Sequence, residues 1–253
     1  MKILSYTSCY GGYFKDKLIS NSIQSFDIIY WYDTPIDMIN IETYKDYDVL
    51  ICEYVPKRAN YYSSEEFIKA VRPLNPNINV VVYPLVVLNI FPFYKHAFGF
   101  LSSHAIDKLL GTGLSNDTIL ELYSSDKIKF NPLEGLHTSL NKLKEIEQKC
   151  DIKVSSIIET YYSDPIYVDA LFPSDRVMNA ILEQILGITG IDAKINYGFI
   201  ENDITRIHKL SSVFTDEMIS ELNIKSISST PNYKEYYLPL LIEYLSSKGG
   251  SIT

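Results

Sequence analysis

The chain has 253 residues, 46% of them hydrophobic and 21% charged, with a mean hydropathy of −0.01. That is the composition of a globular protein long enough for one large α/β domain or two small ones. A net charge of −8 and a pI near 5.1 exclude a general nucleic-acid binder, which needs a basic footprint, but leave room for a local basic pocket that takes a phosphorylated ligand.

Elements follow in chain order. KILSYT (2–7) reads as a strand, followed by the glycine-containing turn TSCYGG and a helix from about Tyr13. FDIIYWY (26–32), YDVLICEYV (47–55) and NINVVVYPLVVL (77–88) are three more strands. All are continuous apolar runs, as expected of parallel strands covered on both faces. SSEEFIKAVRPL, between the last two strands, opens with capping residues and meets Pro73 near its end, so it reads as a helix. Strands alternating with helices imply βαβ units and a parallel sheet.

The second half reads as mostly helical. SNDTILELY (115–123) begins with cap-type residues, and HTSLNKLKEIEQK (137–149) sets Leu136, Leu140, Leu143 and Ile146 near one face. In PSDRVMNAILEQILG (173–187), Val177, Met178, Ile181, Leu182, Ile185 and Leu186 recur at helical spacing, with Gly187 expected as the C-terminal stop. TDEMISELNI and YKEYYLPLLIEYLSS give two further helices, the last with a kink expected at Pro239. The expected organisation is a single α/β domain over 1–246, with its sheet mainly in 1–95 and a helical part in 96–246; the segment 247–253 reads as a linker or frayed end.

The longest apolar run, Val80 to Phe93, is broken by Pro84, Asn89 and Pro92 and falls short of the ~20 residues of a membrane span. The N-terminus lacks the pattern of a signal peptide. Cys9, Cys52 and Cys150 form no CxxC pair and suit a reducing compartment, and the four histidines are widely separated, so neither set suggests a metal site. A cytoplasmic protein without a metal is expected.

Ligands of open α/β sheets lie beyond the carboxyl ends of the strands. Three segments fall there: SCYGG, CEYVPKR and LNIFPFYKH. Cys9 sits where the amides of a helix start would favour a thiolate, and Gly11 and Gly12 would let backbone approach a ligand or form an oxyanion hole. The plainer alternative is that Cys9 is a small buried residue and that the glycines only make the turn. Cys52, inside a strand, reads as core. Glu53 is either a solvated strand end or a carboxylate that orients a base or accepts a substrate hydroxyl. Lys57 and Arg58 suit a phosphate or plain surface. His96 is the best-placed base by topology, with His104 and His137 expected near helix starts. Ser174, Asp175 and Arg176 open a helix whose amide end, with Arg176, could hold a phosphate; otherwise they are a cap followed by an exposed ion pair.

Taken together, several segments resemble the WcbI-type capsular polysaccharide biosynthesis family, over roughly residues 2 to 190. TSCYG stands where that family has a glycine-asparagine-cysteine-glutamine turn, with Cys9 at the cysteine. YDVLICEYV matches its aspartate-containing strand, VVVYPLVVLNIFPFY its strand and proline-rich aromatic turn, and SLNKLKEIEQKCDIKVSSII its leucine-rich helix, with Glu147 at the glutamate. LFPSDRVMNAILEQIL aligns with a helix start that in the family carries histidine before proline; here Phe172 takes that place. Tyr10 and Glu53 stand where the family has glutamines.

The resemblance implies a Rossmann-like, SGNH-like α/β fold, coenzyme A binding and acetyl transfer to a sugar in surface-glycan synthesis. The expected activity is a CoA-dependent acetyltransferase acting on an amino sugar or nucleotide-activated sugar, fused to or acting beside a glycosyltransferase. Its expected catalytic residues are Cys9, Glu53 and His96; acetyl-CoA would be held by Ser8, Tyr10, Gly11, Gly12, Arg58 and Arg176. The alternatives are an SGNH-type glycan esterase or deacetylase, and a non-catalytic glycan- or nucleotide-binding module.

Overall fold

The structure is a computed structural model that describes residues 1–57, 59–95, 101–163, 173–198, 213–225 and 229–248. Its centre is a four-stranded parallel sheet of β1 (Lys2–Thr7), β3 (Ser25–Tyr30), β4 (Val49–Glu53) and β5 (Asn79–Tyr83), in spatial order β3-β1-β4-β5. A short β2 (Leu18–Ile19) pairs antiparallel with β8 (Lys194–Ile195) outside this sheet. The predicted runs and the strands agree: β1 keeps its expected bounds, β3 is shifted toward the N-terminus, and β4 and β5 are shorter at both ends. The inner strands β1 and β4 are buried at nearly every position, while the edge strands β3 and β5 mix buried with half-buried and exposed positions, although all four read as apolar runs.

Alternate residues of each strand serve opposite faces. On one face Leu4, Tyr6, Leu50 and Cys52 pack with Phe67 and Val71 of α2 (Ser64–Val71), and the rings of Tyr6 and Phe67 stack at 4.2 Å. α2 starts on a capping box: the Ser63 hydroxyl accepts from the Glu66 amide, and the Glu66 carboxylate accepts from the Ser63 amide. The other face carries Ser5, Thr7, Ile28, Glu53 and Tyr83 and is covered by α1 (Tyr10–Lys17).

α1 begins three residues earlier than expected, and Gly11 and Gly12 lie in its first turn. The reason is packing. A Cβ at Gly11 would sit 2.3 Å from Cγ2 of Thr7 and 3.1 Å from Cγ2 of Ile28. A side chain there would push the helix off the sheet. At the other end of α1, Lys17 is buried; its ammonium donates to Asp175 Oδ2 at 2.9 Å and to the Gly198 carbonyl at 2.8 Å.

α7 (Asp175–Thr189) packs against β5. It runs through Gly187, which corrects the expected stop; the stop is Gly190, at φ +67°, with its amide bonded to the Leu186 carbonyl. Only the second glycine is asked for a left-handed backbone. The amides of Asp151 and Ile152 donate to the Val82 carbonyl, and Val82 N–H donates to Asp151 Oδ2 at 2.8 Å, so this segment lies against the β5 edge.

The chain forms two compact units, each assembled from three separate stretches of sequence. One unit comprises Met1–Leu85, Leu143–Ile158 and Asp175–Ile207; the other comprises Val86–Lys142, Glu159–Ser174 and His208–Thr253. The second unit is built of α3 (His104–Gly111), α4 (Asn116–Ser124), most of α5 (Pro132–Glu147), α8 (Asp216–Glu221) and α9 (Tyr233–Ser247), with a hairpin of β6 (Tyr94–Lys95) and β7 (Leu101–Ser102). Ile106, Ile119, Tyr237, Leu241 and Tyr244 form its core. His104 opens α3 as expected, whereas His137 is the sixth residue of α5; α9 continues across Pro239. α6 (Ser155–Tyr161) belongs mainly to the first unit. Among the described residues no helix is long and apolar enough to cross a membrane.

Candidate functional site at the sheet's carboxyl edge

From β1 the chain goes outward to β3, then crosses back to β4 on the other side of β1. The winding therefore reverses between β1 and β4. In open parallel sheets this reversal opens a crevice at the carboxyl ends of the two strands. Thr7 ends β1, Glu53 ends β4, and Tyr83 is the register partner of Glu53 on β5.

Glu53 is fully buried, so it is not the solvated strand end that the sequence left open. Ser8 donates to its Oε2 twice, from the amide at 2.8 Å and from the hydroxyl at 2.6 Å. The Trp31 indole N–H donates to Oε1 at 3.1 Å. Tyr83 OH and Thr7 Oγ1 lie 3.2 and 3.4 Å from Oε2 and also bond to each other. Two hydroxyls carry two protons; one joins the pair and the other reaches the carboxylate. Four donors thus converge on one side chain. Burial nonetheless pushes the Glu53 carboxyl above its ordinary range, because the donors from Ser8, Trp31 and Tyr83 only partly offset the lost hydration. The Tyr83 phenol is driven well up, first by burial and then by the charge of Glu53.

What this network holds is the turn into α1. Ser8 is fixed at both its amide and its hydroxyl, and Cys9 follows it as the N-cap of α1, in helical geometry (φ −56°, ψ −17°) and half-buried. A sulfur at that position lies at the positive end of the helix dipole, which favours the thiolate. The phenols of Tyr30 and Tyr32 are both raised, by burial first and by Cys9 second, that of Tyr32 to about 12. Both rings are half-buried, 5.8 Å apart, and so the thiol has aromatic neighbours at the end of β3. All three cysteines are thiols; Cys52 is core as expected, with burial raising it far above the ordinary thiol range.

The expected site residues separate accordingly. Ser8, Cys9 and Glu53 come together. Gly11 is used for packing, and its amide donates to the Ser8 carbonyl at 3.3 Å, so it does not stand ready for an oxyanion. Gly12 is half-buried beside it. Tyr10 is wholly buried, with its ring stacked 6.2 Å from Tyr83, and offers a ligand no surface. Arg176 is exposed on α7. The first-turn carboxylate of that helix, Asp175, already takes the buried Lys17, so an anion there would meet a negative charge. Glu147 is a buried cap: it accepts from the amides of Val154 and Ser155 and from the Ser155 hydroxyl at 2.6 to 2.7 Å, at the start of α6. Arg58, His96 and Phe172 lie outside the described residues.

Thr7, Trp31, Tyr83, Tyr30 and Tyr32 were not expected at the site. Trp31 is the chain's single tryptophan and the middle of the aromatic triplet Tyr30-Trp31-Tyr32 at a strand terminus, the one signal that pointed to it. Tyr83 and Thr7 read as strand interior, and only the register reveals them. No group of His, Cys, Asp and Glu among the described residues could hold a metal ion.

Comparison of the chain with protein-family models, with curated proteins and with solved structures finds no match.

Proposed function

We propose that this chain is an acyltransferase on a Rossmann-like parallel sheet, taking an acyl group from coenzyme A and delivering it to a sugar, in line with the WcbI-type resemblance. The observation that carries the reading is the half-buried thiol of Cys9 at the start of α1, beside a Ser8 held by the buried Glu53. A thioester exchanges readily with a thiolate. The Cys9 sulfur adds to the acyl carbonyl, the CoA sulfur leaves as thiolate, and the acyl-cysteine is then attacked by the acceptor, which loses its proton as the Cys9 thiolate departs. An unprotonated amine needs little help from a base, which makes an amino sugar the acceptor of choice for a site with no histidine beside the thiol among the described residues. Glu53 is a positioning residue in this scheme. It is buried away from solvent and acts through Ser8.

A thermal-shift screen with CoA, acetyl-CoA and nucleotide sugars tests the reading. A ligand specific for the folded state stabilises it by about 2.7 kcal/mol at a hundred times its dissociation constant. Acetyl-CoA is expected to raise Tm, and intact-mass measurement to show one added acetyl group that Cys9→Ala abolishes. A flat response to every CoA species refutes acyl transfer from CoA. A Tm rise with unchanged turnover in Cys9→Ala refutes the covalent role of Cys9.

A further inference from the structure

We propose that a cleft in the second unit is a binding site for a phosphate ester carried on a single ring, such as a nucleoside monophosphate or a sugar phosphate. The proposal does not depend on acyl transfer and concerns residues remote in sequence from Cys9.

The cleft has a volume of about 270 Å³, just under the ~300 Å³ at which drug-sized sites begin. It has room for one ring and its phosphate, and is too small for a whole dinucleotide. Its lining brings Lys108, Lys127 and Lys129 together with His104 against one carboxylate, Glu134. In a chain of net charge −8, this is a local reversal of sign, and a concave positive site concentrates anions. Lys108 is paired with Glu134 at 2.8 Å, which holds the Glu134 carboxyl below its ordinary range. Lys127 and Lys129, both exposed, have no carboxylate partner among the described residues.

The two helix starts at the cleft differ. The amides of Phe130, Asn131 and Leu133, at the start of α5, donate to the carboxylates of Glu217 and Glu221, so that end is closed to an outside anion. α3 starts without a side-chain cap, because Ser103 turns its hydroxyl to the Pro92 carbonyl at 2.7 Å. Its first residues, His104 and Ala105, line the cleft. The anionic group therefore belongs on the α3 side, near the lysines.

The lining asks for more than a bare anion. Phe91, Pro92, Ile128 and Phe130 give the cleft an apolar wall on which a ring can lie. Asn89 also lines it.

Isothermal titration of the full chain with AMP, glucose 1-phosphate, inorganic phosphate, adenosine and glucose tests this. At least one ester is expected to bind more tightly than inorganic phosphate and than its own neutral ring compound, and to weaken as potassium chloride is raised. A lysine about 4 Å from a phosphate is worth roughly fivefold even in water, so Lys127→Ala with Lys129→Ala should weaken binding by about tenfold or more, while Lys69→Ala leaves it unchanged. The replaced side chains are exposed, so the double variant should keep the wild-type far-UV spectrum; the salt dependence of the unmodified chain gives a readout that needs no variant. Failure of both esters to bind at millimolar concentration overturns the site. So does equal binding by a folded double variant, or binding insensitive to salt. Inorganic phosphate binding as well as both esters overturns the ring.

Discussion

Replacing Glu53 with glutamine tests whether the carboxylate organises the sheet's carboxyl edge. The side chain keeps its shape but loses one acceptor oxygen. Two N–H groups, which can only donate, address different oxygens of Glu53: the Ser8 amide reaches Oε2 and the Trp31 indole reaches Oε1. An amide oxygen can serve one of them; the other faces an NH2. The milder arrangement keeps oxygen toward Ser8 and leaves the indole unpaired. A buried donor without an acceptor costs about 1–3 kcal/mol, so Glu53→Gln should lower the unfolding free energy by about that amount. Urea denaturation followed by circular dichroism measures it. Trp31 is the only tryptophan, so its fluorescence reports the same site in parallel. In Trp31→Phe the rival donor is gone, and the double variant should be less destabilised than the sum of the two singles, by about 1 kcal/mol.

The pH dependence has a definite sign. Because burial raises the folded-state pKa of Glu53 above its ordinary 4.5, the folded state holds the proton more tightly. The stability from this group is complete below 4.5 and declines as pH rises through the raised value. Glutamine does not titrate, so the cost of Glu53→Gln should be largest in acid and shrink toward neutrality. Equal stability of wild type and Glu53→Gln at every pH, or additive single variants, would refute the argument.

The glycines give further tests. Gly187→Ala, with nothing within 4 Å of the added methyl inside α7, should stabilise by about 0.5–1 kcal/mol, whereas Gly190→Ala, at φ +67°, should cost about 1 kcal/mol; melting curves of the two must move in opposite directions. Gly135→Ala would place a methyl 1.9 Å from the Asn89 carbonyl oxygen. Since backbone, not a flexible side chain, must give way, a loss of about 1–3 kcal/mol is expected, and an unchanged melting temperature would show that α5 does not press on that segment.

The sheet was legible because its inner strands are buried on both faces and so spell unbroken apolar runs. Ser63 and Ser115 made helix starts legible for the same local reason: a cap is a short-range bond, accepted here from the Glu66 and Thr118 amides. The site was legible only in part. Cys9 and Glu53 could be placed at strand ends by composition. The four donors that converge on Glu53 come from positions 8, 31 and the pair 7 and 83, separations that carry no local signal. Gly11 was misassigned to a turn because a glycine that permits close packing and a glycine that permits an unusual dihedral look alike in sequence. The Lys127–Phe130 stretch gave no sign of a cleft, since its meaning depends on α3 and on Asn89.

The discontinuous first unit bears on how the protein is made. Its sheet strands end at residue 83, but the segment against the β5 edge comes from 151–152 and the helix packed on β5 from 175–189. A ribosome therefore releases the whole sheet, and then more than fifty residues destined for the other unit, before the pieces that complete the first unit emerge. During that interval β5 presents an uncovered edge, and Lys17 lacks the carboxylate that will neutralise it. Fragments truncated before α7 should on this account be the forms that most need a chaperone, and a nascent chain stalled near residue 150 the one most prone to pair with its neighbours.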